Sequence, residues 1–262
     1  MPHISLASLE DARLDVYRDL PRANLTAVSR RFIVEGKWMV ERLVASGFAV
    51  DSIVVEERQT ALLPSDLPSD VPVYVLPAAL IETLIGFNFH RGILACGLRQ
   101  AAPSWRELIP SAARATFVAC VDIHDPTNLG GILRNCAAFG VDGVLLSRRC
   151  ADPFSRRVLR VSMGTAFKLK IATCSDLLAD LVSLREASGC ELIATVLSDD
   201  AERLDQAPRG ERLTLLIGNE GHGLPTEFVA SCDRRVTLPM AAGIDSLNAA
   251  AATAVFLFHF TR

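Results

Sequence analysis

Two stretches near the end of the chain decide the fold: LIGNEGHGL at residues 216–224 and LPMAAGIDSLNAAAA at residues 238–252. In each, an apolar run typical of a buried β-strand leads directly into a turn rich in small residues. A third stretch of the same design, DPTNLGGILR at residues 125–134, follows the apolar run at 116–121. Because open α/β sheets bind ligands at the carboxyl ends of their strands, the three loops predict one shared site.

The pattern around these loops predicts two domains. Beyond residue 113, strands at 116–121, 143–146, 169–172, 191–195, 213–217 and 235–238 alternate with helices at 129–139, 153–162, 175–187, 225–231 and 246–260. This alternation predicts an α/β fold, with a mostly parallel, doubly wound sheet. A shorter alternation before residue 100 predicts a small α/β domain, and Pro103 and Pro110 mark the segment between the two. We place the domains at residues 1–106 and 114–262.

Bulk composition narrows the class of protein. The chain has 262 residues, half of them hydrophobic, and a net charge of −3. Its seven cysteines form no CxxC pair, which favours buried thiols in a reducing cytoplasm and predicts no metal site. No signal-peptide pattern opens the chain, and the longest apolar stretch, 247–260, is shorter than the roughly 20 residues of a membrane span. We therefore expect a cytoplasmic protein without a membrane partner.

Positive charge is concentrated at residues 147–170, which contain seven Lys and Arg residues and one Asp. Arg156 and Arg160 are four residues apart and therefore share one face of a helix. The stretch is either a solvated helix face or a patch that neutralises nucleic-acid phosphates, whatever the net charge of the chain.

The loops contain the residues suited to chemistry. Asn128 and Arg134 are predicted to face a site at a helix N-terminus, although a capped helix with an exposed arginine explains them equally well. The G-x-x-G-x-G spacing at 218–223 does not fit a dinucleotide loop, and Glu220 directly after a strand is an unusual place for a merely solvated carboxylate. Ser246 is expected to cap the final helix.

Taken together, the three motifs resemble the SpoU (TrmH) family of RNA ribose methyltransferases, within the SPOUT class. The first motif matches at Asn128, Gly130 and Arg134, the second at Gly218, Glu220, Gly221 and Gly223, and the third at Pro239, Met240, Ser246, Leu247 and Asn248. RRFIVEGKWMVERLV (30–44) and GFNFHRGILACG (86–97) resemble the family's N-terminal RNA-binding domain, which is similar to a ribosomal-protein fold. The likeness covers roughly residues 25–260.

The resemblance implies a specific enzyme. It implies a C-terminal trefoil knot that binds S-adenosylmethionine, methyl transfer to a ribose 2′-OH of structured RNA (ribosomal RNA favoured over tRNA), and a homodimer. The implied catalytic residues are Asn128, Arg134, Glu220, Ser246 and Asn248. The implied cofactor-binding residues are Thr195, Gly218, Asn219, Leu238, Met240 and Leu247. The candidate RNA-binding residues are Arg30, Arg31, Arg148, Arg149, Arg156, Arg157 and Arg160.

Alternatives stay open at this point. A protein of this fold that binds RNA without catalysis, and a base methyltransferase of the same class, share much of the pattern. Arg134 is either the general base that the family's mechanism suggests, or a group that binds a phosphate or polarises the 2′-OH, since a guanidinium stays protonated in proteins. The sequence also departs from the family at Asn135, Ala250 and His259.

Overall fold

The computed structural model describes residues 3–6, 8–20, 29–241 and 246–261. The strands are β1 His3–Ser5, β2 Arg31–Glu35, β3 Val50–Glu56, β4 Val73–Leu76, β5 Ile93–Leu98, β6 Ala115–Cys120, β7 Gly143–Ser147, β8 Ile171–Cys174, β9 Glu191–Thr195, β10 Glu202–Arg203, β11 Arg212–Ile217 and β12 Arg234–Thr237. The α-helices are α1 Lys37–Val44, α2 Ala78–Ile85, α3 Pro126–Ala138, α4 Arg156–Val161, α5 Leu177–Ser188, α6 Thr226–Ser231 and α7 Ala249–Phe260. Short 3₁₀ helices lie at Ala12–Tyr17, Glu57–Leu62, Trp105–Leu108, Thr165–Lys168 and Leu204–Gln206.

The chain forms two compact units. The first contains Met1–Gln100 and Phe154–Phe167, and the second contains Ala101–Pro153 and Lys168–Arg262. The domain bounds 1–106 and 114–262 stay a prediction, and the compact units differ from them in that Phe154–Phe167 lies with the first unit. Aromatic packing is the reason: the ring centroids of Phe154 and Phe167 lie 5.2 Å and 5.6 Å from that of Phe32 on β2.

The first unit is built on a mixed five-stranded sheet in the order β1-β4-β3-β5-β2. β1, β4 and β3 are parallel, whereas β5 is antiparallel to both β3 and β2. Four of the five residues of β2 are buried, including its last residue, Glu35. Gly36 follows with a φ of +89°, which turns the chain from β2 directly into α1.

The second unit contains a seven-stranded sheet in the order β10-β12-β9-β11-β6-β7-β8, in which every neighbouring pair is parallel. The predicted parallel α/β fold is confirmed. Such a sheet brings the carboxyl ends of β6, β9, β11 and β12 to one edge. The trefoil knot stays a prediction, and residues 242–245 of the final loop lie outside the described residues.

Capping residues explain where helix starts differ from the prediction. α3 begins at Pro126, three residues early, because the Asp125 side chain accepts hydrogen bonds from the N–H groups of Thr127 and Asn128. α4 begins after Ser155, whose side chain accepts from the Val158 N–H. The short strands β1 and β10 were not predicted, because two or three residues carry too little periodicity.

Two predictions about composition can be examined in the structure. All seven cysteines are free thiols, five of them buried. Burial raises the pKa of Cys174 and of Cys232 to about 12, which makes these thiols poor nucleophiles. Within the described part of the chain, no helix is long and apolar enough to cross a membrane.

Candidate functional site

A cavity of about 660 Å³ lies at the carboxyl edge of the second sheet. This volume is within the roughly 300–1,000 Å³ typical of small-molecule sites. Ten of the predicted catalytic and cofactor-binding residues line it: Asn128, Thr195, Gly218, Asn219, Glu220, Leu238, Met240, Ser246, Leu247 and Asn248. The three loops singled out in the sequence therefore meet at one place.

The loop after β11 is a tight turn closed by its own backbone. Asn219 and Gly223 exchange both backbone hydrogen bonds, at 3.1 and 2.8 Å, and Gly223 has a φ of +68°. A Cβ atom on Gly218 would lie only 2.4 Å from the carbonyl carbon of Gly223. Glycine is therefore required at both positions for the backbone to fold over the cavity.

Asn219 holds this loop in place. Its side-chain oxygen accepts from the N–H groups of Gly221 and His222, and its side-chain nitrogen donates to the carbonyl of Asp122, 2.8 Å away. Asp122 follows β6 with a φ of +56° and accepts a 2.7 Å hydrogen bond from the Ser147 hydroxyl. The side chain of Asn219 thus joins the loop after β6 to the loop after β11.

A chain of hydrogen bonds crosses the mouth of the cavity. Asn128 Nδ2 donates to Glu220 Oε1 at 2.7 Å, and Asn248 Nδ2 donates to Asn128 Oδ1 at 2.7 Å. An ionised carboxylate only accepts, so Glu220 fixes which end of the Asn128 amide faces it and which end faces Asn248. Residues 92 and 120 positions apart in the sequence thereby hold one another in a single orientation.

Asn248, rather than Ser246, caps the last helix. Its side-chain oxygen accepts from the N–H groups of Ala250 at 3.0 Å and Ala251 at 3.3 Å. The prediction that Ser246 caps this helix was wrong, because the helical hydrogen bonds begin two residues later than the apolar pattern suggested. Ser246 instead lies exposed on the wall of the cavity.

Arg134 does not line the cavity of its own chain. It is exposed on α3, six residues after Asn128. Six residues at 3.6 per turn rotate a side chain by roughly one and two-thirds turns, so Arg134 and Asn128 leave the helix in different directions. The expectation that both face the same cleft was therefore wrong within a single subunit.

Apolar side chains form most of the remaining wall. Leu238, Met240 and Leu247 were predicted, whereas Leu197 and Phe256 were missed. Leu197 is 62% exposed and Leu247 is 42% exposed, which is unusual for leucine and suits a rim that covers a bound group. The Thr195 hydroxyl donates to the Leu216 carbonyl at 2.8 Å, which ties β9 to β11. The apolar pair Val196 and Leu197, which follows the end of β9 at Thr195, is the signal that could have identified the missed rim.

The predicted RNA-binding arginines differ in their surroundings. Arg156 and Arg160 lie beside the Glu35 carboxylate in the first unit, Arg31 pairs with Asp51, and Arg149 pairs with Asp122. Burial lowers the pKa of the Arg156 guanidinium, a shift that the Glu35 carboxylate opposes. Arg30, Arg148 and Arg157 are exposed.

Two of the departures from the family pattern have structural roles here. Asn135 Nδ2 donates to the Ala250 carbonyl at 2.6 Å and so links α3 to α7. His259 Nε2 lies 2.7 Å from the Ala207 carbonyl. No group of His, Cys, Asp and Glu side chains suited to a metal ion occurs among the residues that the structure describes.

Comparison with known proteins agrees with this geometry. Residues 115–258, more than half of the chain, match the SpoU rRNA methylase family. An uncharacterized tRNA/rRNA methyltransferase of Mycobacterium bovis is 37% identical over 97% of this chain and 90% of its own length. A Bacillus subtilis 23S rRNA (guanosine(2553)-2′-O)-methyltransferase is 26% identical over 97% of this chain and 98% of its own.

A solved structure matches both units. The AdoMet-bound rRNA methyltransferase of Sinorhizobium meliloti is 26% identical and superposes with a TM-score of 0.85 over 98% of this chain and 97% of its own. The order of the three motifs, the parallel sheet that positions them and the extent of these matches lead to one conclusion: this chain is a member of the SpoU rRNA methylase family.

Proposed function

We propose that this protein transfers a methyl group from S-adenosylmethionine to a ribose 2′-OH of structured RNA, with ribosomal RNA favoured over tRNA. The observation that carries the proposal is the hydrogen-bond chain from Glu220 through Asn128 to Asn248, held at the mouth of an apolar cavity. The name of the B. subtilis relative supports the ribose 2′-OH and ribosomal RNA for that protein.

The cavity suits S-adenosylmethionine in size and in lining. Leucine, methionine and phenylalanine side chains offer surfaces for a flat ring, and the tightly turned backbone after β11 offers N–H and C=O groups for polar edges. The cofactor supplies the methyl group on an electrophilic sulfonium. Residues Gly218, Leu238, Met240 and Leu247 would hold it, with Thr195 and Asn219 bracing the strands and loops behind them.

The polar chain positions the nucleotide. Asn128 and Asn248 use their amides to fix one another, so their remaining hydrogen-bonding capacity points in a defined direction at the cavity mouth. Fixing the attacking oxygen in line with the methyl carbon accelerates such reactions strongly, by up to roughly 7–11 kcal/mol of barrier in ideal intramolecular cases.

The first experiment is calorimetry with chelator-treated protein and S-adenosylmethionine. We expect binding without added metal. Gly218→Ala should abolish it, because the new Cβ collides with the Gly223 backbone, whereas Gly221→Ala is the matched control, with its nearest neighbour at an ordinary 3.5 Å. An absence of binding up to millimolar cofactor would end the enzyme proposal.

The second experiment identifies the product. Ribose methylation is mapped across total RNA from cells with and without the gene, and the modified nucleoside is identified by mass spectrometry. A ribose methyl lost with the gene supports the proposal. A lost base methyl points to the rival base methyltransferase, and an unchanged map in a protein that binds RNA points to the non-catalytic alternative.

A homodimer is part of the same proposal. Ten of the twelve residues of α7 are apolar, yet Val255 is 39% exposed and Phe258 is 46% exposed. A helix apolar all round is normally buried, so a second copy of the chain is the natural cover. Phe258→Glu should give a monomer in sedimentation, while Ala230→Glu on the exposed part of α6 should leave the dimer intact. A dimeric Phe258→Glu variant would contradict this interface.

A dimer also gives Arg134 a role. Its helix, α3, packs along α7, and Phe139 at its end meets Phe258 edge to face at 6.4 Å. We therefore assign Arg134 to the cavity of the partner subunit. Arg134→Ala should abolish methyl transfer and leave cofactor affinity unchanged. Mixing inactive Arg134→Ala subunits with inactive Gly218→Ala subunits should restore activity, because the mixed dimer has one complete site; a mixture that stays inactive contradicts the shared site.

A further inference from the structure

The first unit presents an exposed tryptophan in a cationic setting. Trp38, in the first turn of α1, is 69% exposed, whereas the only other tryptophan, Trp105, is 7% exposed. Met163 nearby is 36% exposed although it is apolar. A tryptophan is usually well buried on average, so an indole left in solvent beside a second exposed apolar side chain indicates a contact surface.

A buried carboxylate holds arginines beside this indole. Glu35 is 6% exposed, and its Oε1 lies 3.8 Å from Arg91 Nε and 3.6 Å from Arg160 Nη1. Its Oε2 lies 3.9 Å from Arg156 Nε. One carboxylate therefore faces three guanidinium groups, and the cluster keeps an excess of positive charge. These distances are longer than those of hydrogen bonds, so the N–H groups of Arg91 and Arg160 keep donor capacity.

The arginines divide into one that is structural and two that face outward. Arg156 lies with its guanidinium 4.3 Å from the centre of the Phe87 ring, and its Nη1 is buried. Arg91 and Arg160 each keep 49% of their side-chain surface exposed. These two, together with Lys37, can therefore reach a negatively charged partner without unfolding the cluster.

A small cavity of about 230 Å³ lies between these groups and the indole. Gly36 forms part of its wall, and a Cβ there would lie 3.2 Å from Arg91 Cδ. The cavity is smaller than the roughly 300–1,000 Å³ of a drug-sized site, so it admits one flat group at most.

We propose that Trp38, Arg91 and Arg160 form a site for an unpaired nucleotide of the RNA substrate, with the base stacked on the indole and the phosphate on the two arginines. The inference deepens the proposed function and rests on it. Aromatic stacking requires a base that is free of its neighbours, whereas phosphate contacts do not distinguish paired from unpaired RNA. A site that combines both contacts selects a loop, bulge or single strand over a perfect duplex. The cavity of the second unit does not determine whether the RNA around the target is paired.

The test uses the full-length protein, a short single-stranded oligouridylate and an RNA duplex of the same length. Tryptophan fluorescence should be quenched by the single strand, since Trp105 is buried and contributes little change. Trp38→Ala should weaken the single-strand Kd by about 5- to 150-fold, the range expected for one stacked base, and should leave duplex binding almost unchanged.

Two further variants distinguish stacking from general apolar contact. Trp38→Phe keeps an aromatic face and should keep most of the affinity, whereas Trp38→Leu keeps apolar area and should behave like Trp38→Ala. Arg160→Gln should reduce the slope of log Kd against log salt by about 0.7, the value for one single-strand phosphate contact, and Arg58→Gln, an exposed arginine elsewhere in this unit, should not.

Several outcomes would overturn the site. They are an unchanged single-strand Kd in Trp38→Ala, wild-type binding by Trp38→Leu, or a change in oligomeric state on Trp38→Ala, which would make this surface a protein interface. Calorimetry with S-adenosylmethionine separates the two proposals. If the wild type binds the cofactor but Trp38→Ala binds RNA normally, only this nucleotide site is refuted. If Trp38→Ala binds RNA more weakly but the wild type does not bind the cofactor, only the methyl transfer is refuted.

Discussion

Two glutamates in this protein occur in nearly the same local sequence and have opposite surroundings. Glu35 is the last residue of β2 in the sequence VEG, and Glu220 follows β11 in the sequence NEG. Glu35 is 6% exposed and faces three arginines, whereas Glu220 is exposed and accepts a hydrogen bond from a neutral amide. A carboxylate beside a strand end and a glycine can thus either anchor cations or orient an amide.

Burial decides between the two roles. A buried carboxylate must be compensated by opposite charge, so Glu35 gathers arginines and creates a cationic surface that suits phosphates. A carboxylate in solvent needs no such compensation, so Glu220 can use one oxygen to direct the neutral amide of Asn128. Under the two proposals made above, the first unit would bind the anionic polymer and the second would position the reacting group.

The largest expected effect is on stability. Glu35→Ala leaves three arginines facing one another and should lower the free energy of unfolding by about 3 kcal/mol. This value is at the lower end for removing one partner of a buried ion pair, because Arg91 and Arg160 can turn into solvent. Urea unfolding measures it. Glu57→Ala, at an exposed position of the same unit, should change stability by less than about 0.5 kcal/mol. Equal effects of the two variants would show that Glu35 does not organise the cluster.

The next effect is on turnover. Glu220→Ala should lower kcat by on the order of 10²-fold, because Asn128 loses the partner that fixes its amide, while stability changes by less than about 0.5 kcal/mol. Single-turnover methyl transfer measures it, with Glu227→Ala on α6 as the control. A large loss of stability in Glu220→Ala would remove the contrast with Glu35.

Asn248 allows capping and positioning to be separated. Asn248→Asp keeps a good helix cap but cannot donate to Asn128, so stability should hold while turnover falls by about tenfold or more. Asn248→Ala should lose both, with a stability cost of about 1 kcal/mol. If Asn248→Asp turns over as fast as wild type, the amide chain is not needed for the reaction.

The smallest expected effect concerns charge outside the Glu35 cluster. Arg148 is exposed in the second unit, and Arg148→Gln should reduce the salt slope of RNA binding by about 0.7–0.9 with no change in cofactor affinity. An unchanged slope would indicate that Arg148 does not contact a phosphate. It would favour phosphate binding by the arginines around Glu35 alone.

The sequence by itself determined the elements and the loops. Runs such as 116–121 and 213–217 are apolar except for Thr116 and Thr214. Both faces of a parallel strand are buried, so such a run can be recognised from the sequence alone. The glycines at 218 and 223 likewise predicted a tight turn. The backbone folds back on itself there, which leaves no room for a Cβ at Gly218 and gives Gly223 a positive φ.

Only the tertiary structure decided which polar side chains meet. It joined Asn128, Glu220 and Asn248, turned Arg134 away from their cavity, and moved Phe154–Phe167 into the first unit. It also buried Glu35 while leaving Glu220 in solvent. These outcomes depend on side-chain direction and on contacts between residues far apart in the chain, and a local pattern of polar and apolar residues contains neither.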